Sequence, residues 1–222
     1  MAVDLLAEGE CKIMARYTGP SCRLCRRSGG KLMLKGERCL TAKCVMEKRS
    51  APPGGQLQRR RPKVSARGTQ LREKQKARYT YGVLEKQFRG YFSRAHRVPG
   101  MVGSNLIQLL ERRLDNVVFR SGFASSRAQA RQIVGHGHIF VNGRKVDISS
   151  YLVKTGDLIT WRERSSKTEL YKKIEEDVQG AYAPSWLSVD KQQLTSRVLS
   201  FPESSEVEAK FDAKMIVEYY SR

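Results

Sequence analysis

The stretch Ser126-Arg127-Ala128-Gln129-Ala130-Arg131-Gln132-Ile133-Val134-Gly135-His136-Gly137-His138-Ile139-Phe140-Val141-Asn142-Gly143-Arg144-Lys145-Val146-Asp147 decides the fold class of this 222-residue chain. Ser125 or Ser126 is a good N-cap, and the helix it opens runs through Val134, where Gly135 and Gly137 stop it. Asn142-Gly143 tolerates positive φ at both central turn positions, so Ile139-Phe140-Val141 and Arg144-Lys145-Val146 predict a hairpin. Upstream, Ser104 predicts the N-cap of a helix whose apolar positions Leu106, Leu109, Leu110, Leu114, Val117 and Val118 keep helical spacing up to Gly122. Downstream, after Lys154-Thr155-Gly156-Asp157, Leu158 to Glu163 alternates like a further strand. The reading is α-α-β-β-β, with Phe119, Phe123 and Phe140 as core.

Further from that stretch the pattern is thinner. Lys167 to Val178 predicts a charged helix, and Ser185 to Val189 and Arg197 to Phe201 predict short strands. The periodicity of Met215-Ile216-Val217-Glu218-Tyr219-Tyr220 leaves strand and helix both open. Toward the N-terminus, Pro99-Gly100 and Gly103 mark a linker, and two helices precede it. One runs from about Gln70 to Gly82, the other from about Leu84 to Ala95 with Leu84, Phe88 and Phe92 inward. The fold class is α+β.

Lysine and arginine outnumber acids 42 to 22, for a net charge of +20. Self-repulsion of that size in a compact state implies a polyanionic partner. No apolar run approaches the roughly 20 residues that span a bilayer, so no membrane role is expected. Met1 to Ile13 carries Asp4, Glu8 and Glu10 and does not read as a signal peptide, so a reducing cytoplasm is the expected setting. In that compartment Cys22-x2-Cys25-x13-Cys39-x4-Cys44 reads as a metal site rather than as disulfides. Four thiolates close the tetrahedron that structural zinc prefers and leave no open position for substrate. The same thiolates also suit an iron–sulfur cluster, but the spacing matches zinc knuckles better than ferredoxin-type runs. Cys11 is the odd one out, a bystander thiol.

Two basic regions are candidate nucleic-acid surfaces. From Arg59 to Arg78, nine cations (Arg59, Arg60, Arg61, Lys63, Arg67, Arg72, Lys74, Lys76 and Arg78) face one acid, Glu73. A solvated helix usually interleaves signs, so this excess points outward to a ligand. On the helix after Ser126, Arg127, Arg131, Gln129 and Gln132 fall at helical spacing, and the hairpin adds Asn142, Arg144 and Lys145. Cations meet phosphates while amides reach 2′-hydroxyls and base edges, a mixture suited to structured RNA. Aromatic residues are few, so single-strand stacking is poorly supported. His136 and His138 flank Gly137 without a carboxylate or ligand cluster nearby and read as hydrogen-bonding loop residues.

The runs Arg113-Leu114-Asp115-Asn116-Val117-Val118, Ser126 to Val134 and His136 to Asp147 closely resemble the small RNA-binding module named after ribosomal protein S-four. That module also occurs in pseudouridine synthases and tyrosyl-tRNA synthetases. Met14 to Pro20, the four cysteines, Leu71 to Lys76, Gln87-Phe88-Arg89 and Ile216 to Arg222 extend the resemblance to the bacterial-type ribosomal protein S-four family, in its four-cysteine variant. The resemblance implies a helical domain with an N-terminal four-cysteine zinc knuckle plus an α-α-β RNA-binding module with hairpin and additional short strands. The implied division is a disordered extension at 1–13, a knuckle arm at 14–50, a helical domain of 51–102 joined by a returning 203–222, and an RNA-binding domain at 103–202 whose module spans about 113–163.

For function, the resemblance implies a primary binder of small-subunit ribosomal RNA that docks on a junction in the 5′ domain and nucleates subunit assembly. It further implies neighbours including ribosomal protein S-five, a position by the path along which messenger RNA enters, and an effect on decoding accuracy. The knuckle would hold Arg16, Arg23, Arg26, Arg27 and Lys35 near phosphate, and the module would add Arg113 and Asn116. The family's usual histidine is missing from Pro53-Gly54-Gly55-Gln56-Leu57. Two other readings compete. A pseudouridine synthase would use Asp115, but the chain lacks room for a separate catalytic domain. A zinc-finger DNA regulator would need a recognition helix near the cysteines, where Leu32 to Leu34 instead reads as extended.

Overall fold

A computed structural model describes residues 17–54, 64–180, 182–203, 207 and 211–221. The expected extension at 1–13 and the candidates Arg16, Arg59, Arg60, Arg61 and Lys63 lie outside the described residues. The N-terminal arm holds two short helices, α1 (Ser21–Ser28) and α2 (Val45–Lys48), with a 3-10 turn at Gly36–Cys39 between them. Then come α3 (Ala66–Thr80) and α4 (Glu85–Arg97). The first of these begins upstream of Gln70 because the Ser65 hydroxyl accepts from the Gly68 N–H at 3.2 Å and caps it.

The helix expected from Ser104 to Gly122 is two helices, α5 (Val102–Glu111) and α6 (Leu114–Arg120). Ser104 is not its cap; Met101 precedes the first turn. The break falls at Arg113, which is extended (ψ 136°) and bridges to Leu152. Residues 149–153 supply the competing partners. The Leu114 and Asp115 N–H groups donate to the carbonyls of Tyr151 and Ser149 (2.8 and 3.2 Å), and the Val153 N–H donates to Arg112 O at 3.0 Å. Backbone groups satisfied across the chain no longer need the helical ladder.

Helix α7 (Arg127–Gly135) is capped by Ser126, whose hydroxyl accepts from the Gln129 N–H at 3.3 Å. It leads into a five-stranded antiparallel sheet of order β2-β1-β3-β5-β4, made of β1 (Ile139–Val141), β2 (Arg144–Lys145), β3 (Leu158–Trp161), β4 (Leu187–Asp190) and β5 (Thr195–Val198). Asn142 and Gly143 both take positive φ (51° and 76°), as a two-residue hairpin turn requires. Helix α8 (Glu169–Val178) crosses between β3 and β4. The final segment is helical, α9 (Ala213–Tyr220), because the Asp212 carboxylate caps it from the Lys214 N–H at 2.8 Å and Ile216 is fully buried.

Two separate cores result. One gathers Ala77, Phe88, Leu106, Leu110, Phe211 and Ile216, so α9 returns to pack on α3 and α5. Gln70 Nε2 meets Glu218 at 2.8 Å, and Tyr220 lies 4.5 Å from the Phe92 ring. The other gathers Leu114, Val117, Phe123, Ile133, Ile159, Trp161 and Leu194 from α6, α7 and the sheet. Leu84 and Phe92 are half-buried beside the fully buried Phe88.

Candidate nucleic-acid interface

Two carboxylates and four guanidiniums fill the seam between the cores. Glu111, the last residue of α5, is fully buried. Its carboxylate accepts from the Tyr81 hydroxyl and Asn116 Nδ2, both at 2.6 Å, and from a two-pronged Arg120 at 3.0 Å on each oxygen, with Arg127 at 3.9 Å. Asp115 receives Arg113 (3.0 and 2.7 Å) and Arg131 (3.0 and 2.6 Å). Arg131 also donates to the carbonyls of Gly82 and Tyr81 at 2.7 and 2.9 Å, tying α7 to the turn between α3 and α4. Burial pushes the Glu111 carboxyl upward, yet Arg120 first and then Arg127 and Tyr81 outweigh it and hold it below the usual carboxylate range. Burial and the Glu111 charge together drive the Tyr81 hydroxyl well above its ordinary value, so it stays a donor.

This seam removes several residues from the expected RNA-facing set. Arg113 and Asn116 are 3% and 1% exposed. The first is spent on Asp115 and, at 2.7 Å, on the Tyr91 hydroxyl; the second spans Glu111 and Arg127 Nε, the latter at 2.7 Å. Arg127 and Arg131 keep only 15% and 17% of their side chains exposed and act as interior ties. Arg127 also lies over the Phe119 ring at 4.5 Å. Gln129 turns back to its own helix start, accepting from the Ser125 N–H and hydroxyl at 2.9 and 2.7 Å. Asn142 brackets β3, donating to Asp157 at 2.8 Å and accepting from the Leu158 N–H at 2.9 Å. Asp115, the candidate catalytic residue, is 2% exposed and held by two arginines, which leaves no room for a substrate.

What remains outside is a set of unburied cations. Arg144 and Lys145 on β2 are exposed, as are Gln132 and His136 on and after α7. His138 is half-buried with Nδ1 at 2.8 Å from the Ser165 hydroxyl, and burial, then His136 and Arg162, hold its imidazole below the ordinary value. On α3, Arg67 and Arg72 are exposed, while Lys76 pairs with Glu73 at 2.6 Å and Arg78 reaches Glu85 at 3.5 Å. In the arm, Arg23, Arg27 and Lys35 are exposed; Arg26 folds back, its Nε donating to Ala51 O at 2.7 Å. A cleft of about 260 Å³ opens where the arm, the Tyr81–Gly82 turn and α7 meet, and Arg78, Arg127, Arg131 and Gln132 contribute to its wall. Glu111 escaped the reading of the sequence, although the arginines that follow it, Arg112, Arg113, Arg120, Arg127 and Arg131, were a signal that an acid had to be buried among them.

Cys22 and Cys25 sit one turn apart on α1, Cys39 ends the 3-10 turn and Cys44 caps α2. The first pair is thus helical. Cys25, Cys39 and Cys44 are buried, and all four are free thiols. Burial raises the Cys25 thiol, the Leu32 N–H opposes that, and the charges of Cys39, Cys22 and Cys44 add to it, so the four sulfurs feel one another. As they stand, no group of three or more His, Cys, Asp or Glu among the described residues is drawn together tightly enough to hold a metal ion. The donor set is nevertheless soft, fourfold and mostly buried, which is the chemistry a structural zinc ion takes.

Comparison with known proteins speaks to both halves. The family profile described as the ribosomal protein S4/S9 N-terminal domain matches residues 16–111, and that of the S4 domain matches residues 112–159. Small ribosomal subunit protein uS4 of Dehalococcoides mccartyi is 56% identical over 209 residues, covering 94% of this chain and all of the relative. The chain belongs to the ribosomal protein S4 family. Proteins of the same description from Natranaerobius thermophilus and Syntrophomonas wolfei are 53% and 51% identical over the same coverage. The boundary between the two S4 family matches, 111 to 112, falls where α5 ends and the buried seam begins. No helix among the described residues is long and apolar enough to cross a membrane.

Proposed function

We propose that this protein is a structural constituent of the small ribosomal subunit that binds small-subunit ribosomal RNA through its exposed cations and performs no turnover. The observation that carries the reading is the match across both units to proteins named for that subunit, at 56% identity over 209 residues. The +20 charge supplies the physical means: each cation set against a phosphate releases a counterion, and the bound protein stabilises the RNA fold it prefers. Arg144 and Lys145 on one unit and Arg67 and Arg72 on the other are exposed, so two units offer cations to separate RNA helices. The Glu111–Arg120 pair and the bonds from Arg131 to the Tyr81 and Gly82 carbonyls hold those units in register.

In this reading the RNA site would be the 5′-domain junction, and the neighbours would include ribosomal protein S-five beside the path of incoming messenger RNA. Cys22, Cys25, Cys39 and Cys44 would hold one zinc ion as a closed staple ordering the arm, and Arg23, Arg27 and Lys35 would offset the negative charge of the four thiolates. A magnesium-containing sucrose gradient at high salt tests the core of this reading. The chain is expected to sediment with the small subunit; a chain stripped to the top of the gradient would overturn it.

A further inference from the structure

Helix α4 has a face that nothing among the described residues covers. Phe88, Tyr91 and Ala95 turn into the core. At 3.6 residues per turn, Lys86, Gly90, Ser93 and Arg97 then line up on the opposite side, with Arg89 and Arg94 on its flanks. All six are exposed. None of the four cations forms an ion pair among the described residues, while Glu85, the helix's one acid, lies to the side and is engaged by Lys74 at 2.6 Å.

Two features set this face apart from an ordinary solvated one. Lys86 stands in the first turn of the helix, where the dipole disfavours positive charge, and no acid lies three or four residues from it; Glu85, four residues before Arg89, is already engaged by Lys74 and Arg78. The dipole accounts only for the cations near the C-terminus. The second feature is Gly90, since a glycine inside a helix weakens it relative to alanine. The comparable Gly103 in α5 has an internal reason: a Cβ there would stand 3.1 Å from the Cβ of Ala213 on α9. At Gly90 a Cβ would meet no atom within 4 Å. Nothing described in the fold asks for glycine at this position, so its bare backbone is of use only to something approaching from outside.

We propose that this face of α4 receives the sugar–phosphate backbone of a ribosomal RNA helix. The strand crosses over Gly90, where a side chain would hold it off, while Lys86, Arg89, Arg94 and Arg97 neutralise phosphates and the Ser93 hydroxyl donates to a phosphate oxygen. From Lys86 to Arg97 the line runs roughly 16 Å at the helical rise, long enough to follow several nucleotides. The inference rests on the RNA-binding reading above and adds a contact surface to it.

Filter binding of the full chain to a transcript of the small-subunit ribosomal RNA 5′ domain, over a salt series, tests it. Gly90→Gln should fold with an unchanged or higher thermal midpoint, because glutamine is the better helix former, and should bind at least tenfold more weakly. A Lys86→Ala, Arg97→Ala double variant should reduce the slope of log K against log salt by about two. Variants that bind like the wild type across the series would overturn the inference while leaving the RNA reading intact, and so would variants that bind RNA normally but enter subunits poorly, since a protein would then cover the face. A wild-type chain that does not bind the transcript would overturn the RNA reading itself, and this inference with it.

Discussion

Replacing Glu111 by glutamine keeps the side chain's shape and removes the negative charge that Arg120 and Arg127 share. The carboxylate now takes two prongs from Arg120 and one bond each from Tyr81 and Asn116. A glutamine offers those four donors one oxygen and turns an NH₂ group toward the arginines. Breaking a buried pair by removing one partner costs about 3–5 kcal/mol, because the stranded charge stays desolvated. Arg120 keeps 22% of its side chain exposed and can swing partly to water, so the lower end, about 3 kcal/mol, is the expected loss. For a chain of this size that is a fall of about 6–12 °C in thermal midpoint. Arg127→Ala should cost less, about 1–2 kcal/mol, because Arg120 still neutralises Glu111. Acid should narrow the gap between wild type and Glu111→Gln. The folded Glu111 carboxyl lies below its usual 4.5, so its contribution is complete above that value and fades as pH falls through the lower folded one. Thermal unfolding followed by circular dichroism at pH 7 and at descending pH measures both effects. A midpoint that drops by less than about 2 °C at neutral pH, or a gap that stays constant into acid, would refute the claim that Glu111 is the hub of the seam.

The hairpin and the arm give two further tests. Arg144→Ala with Lys145→Ala should leave the unfolding midpoint unchanged, since both side chains are exposed, while lowering the RNA salt slope by about two; equal binding by wild type and variant would take β2 off the RNA surface. Cys39→Ser, or treatment of the wild type with a strong chelator, should release about one zinc per chain by metal analysis and loosen the arm to proteolysis while residues 102–221 keep their far-ultraviolet signal. Loss of that signal along with the metal would contradict a purely local staple.

Much of the module was legible because its signals are local. Ser126 caps α7 and Asn142-Gly143 turns the hairpin from side chain and backbone preferences that need no distant partner. The break at Arg113 was not legible, since the spacing from Leu106 to Val118 continues across it unperturbed and the interruption comes from carbonyls at Ser149 and Tyr151 far along the chain. The fate of the C-terminal Met215 to Tyr220 was equally hidden. Its helix is fixed by an Asp212 cap and by burial of Ile216 against elements more than a hundred residues earlier.

The same contrast governs the candidate interface. The amino-acid sequence by itself determined that the partner is a polyanion, that four thiols sit at metal-binding spacing, and that Arg127 and Arg131 share a helix with Gln129 and Gln132. It could not say which way that helix faces. Only the tertiary structure turned Arg127 and Arg131 inward onto Glu111 and Asp115 and left Lys86, Arg89, Arg94 and Arg97 outward. The physical reason is that charge is a property of a residue, whereas its availability to a ligand depends on whether a countercharge has already been brought close to it by the fold, and the buried acids Glu111 and Asp115 reached those arginines first.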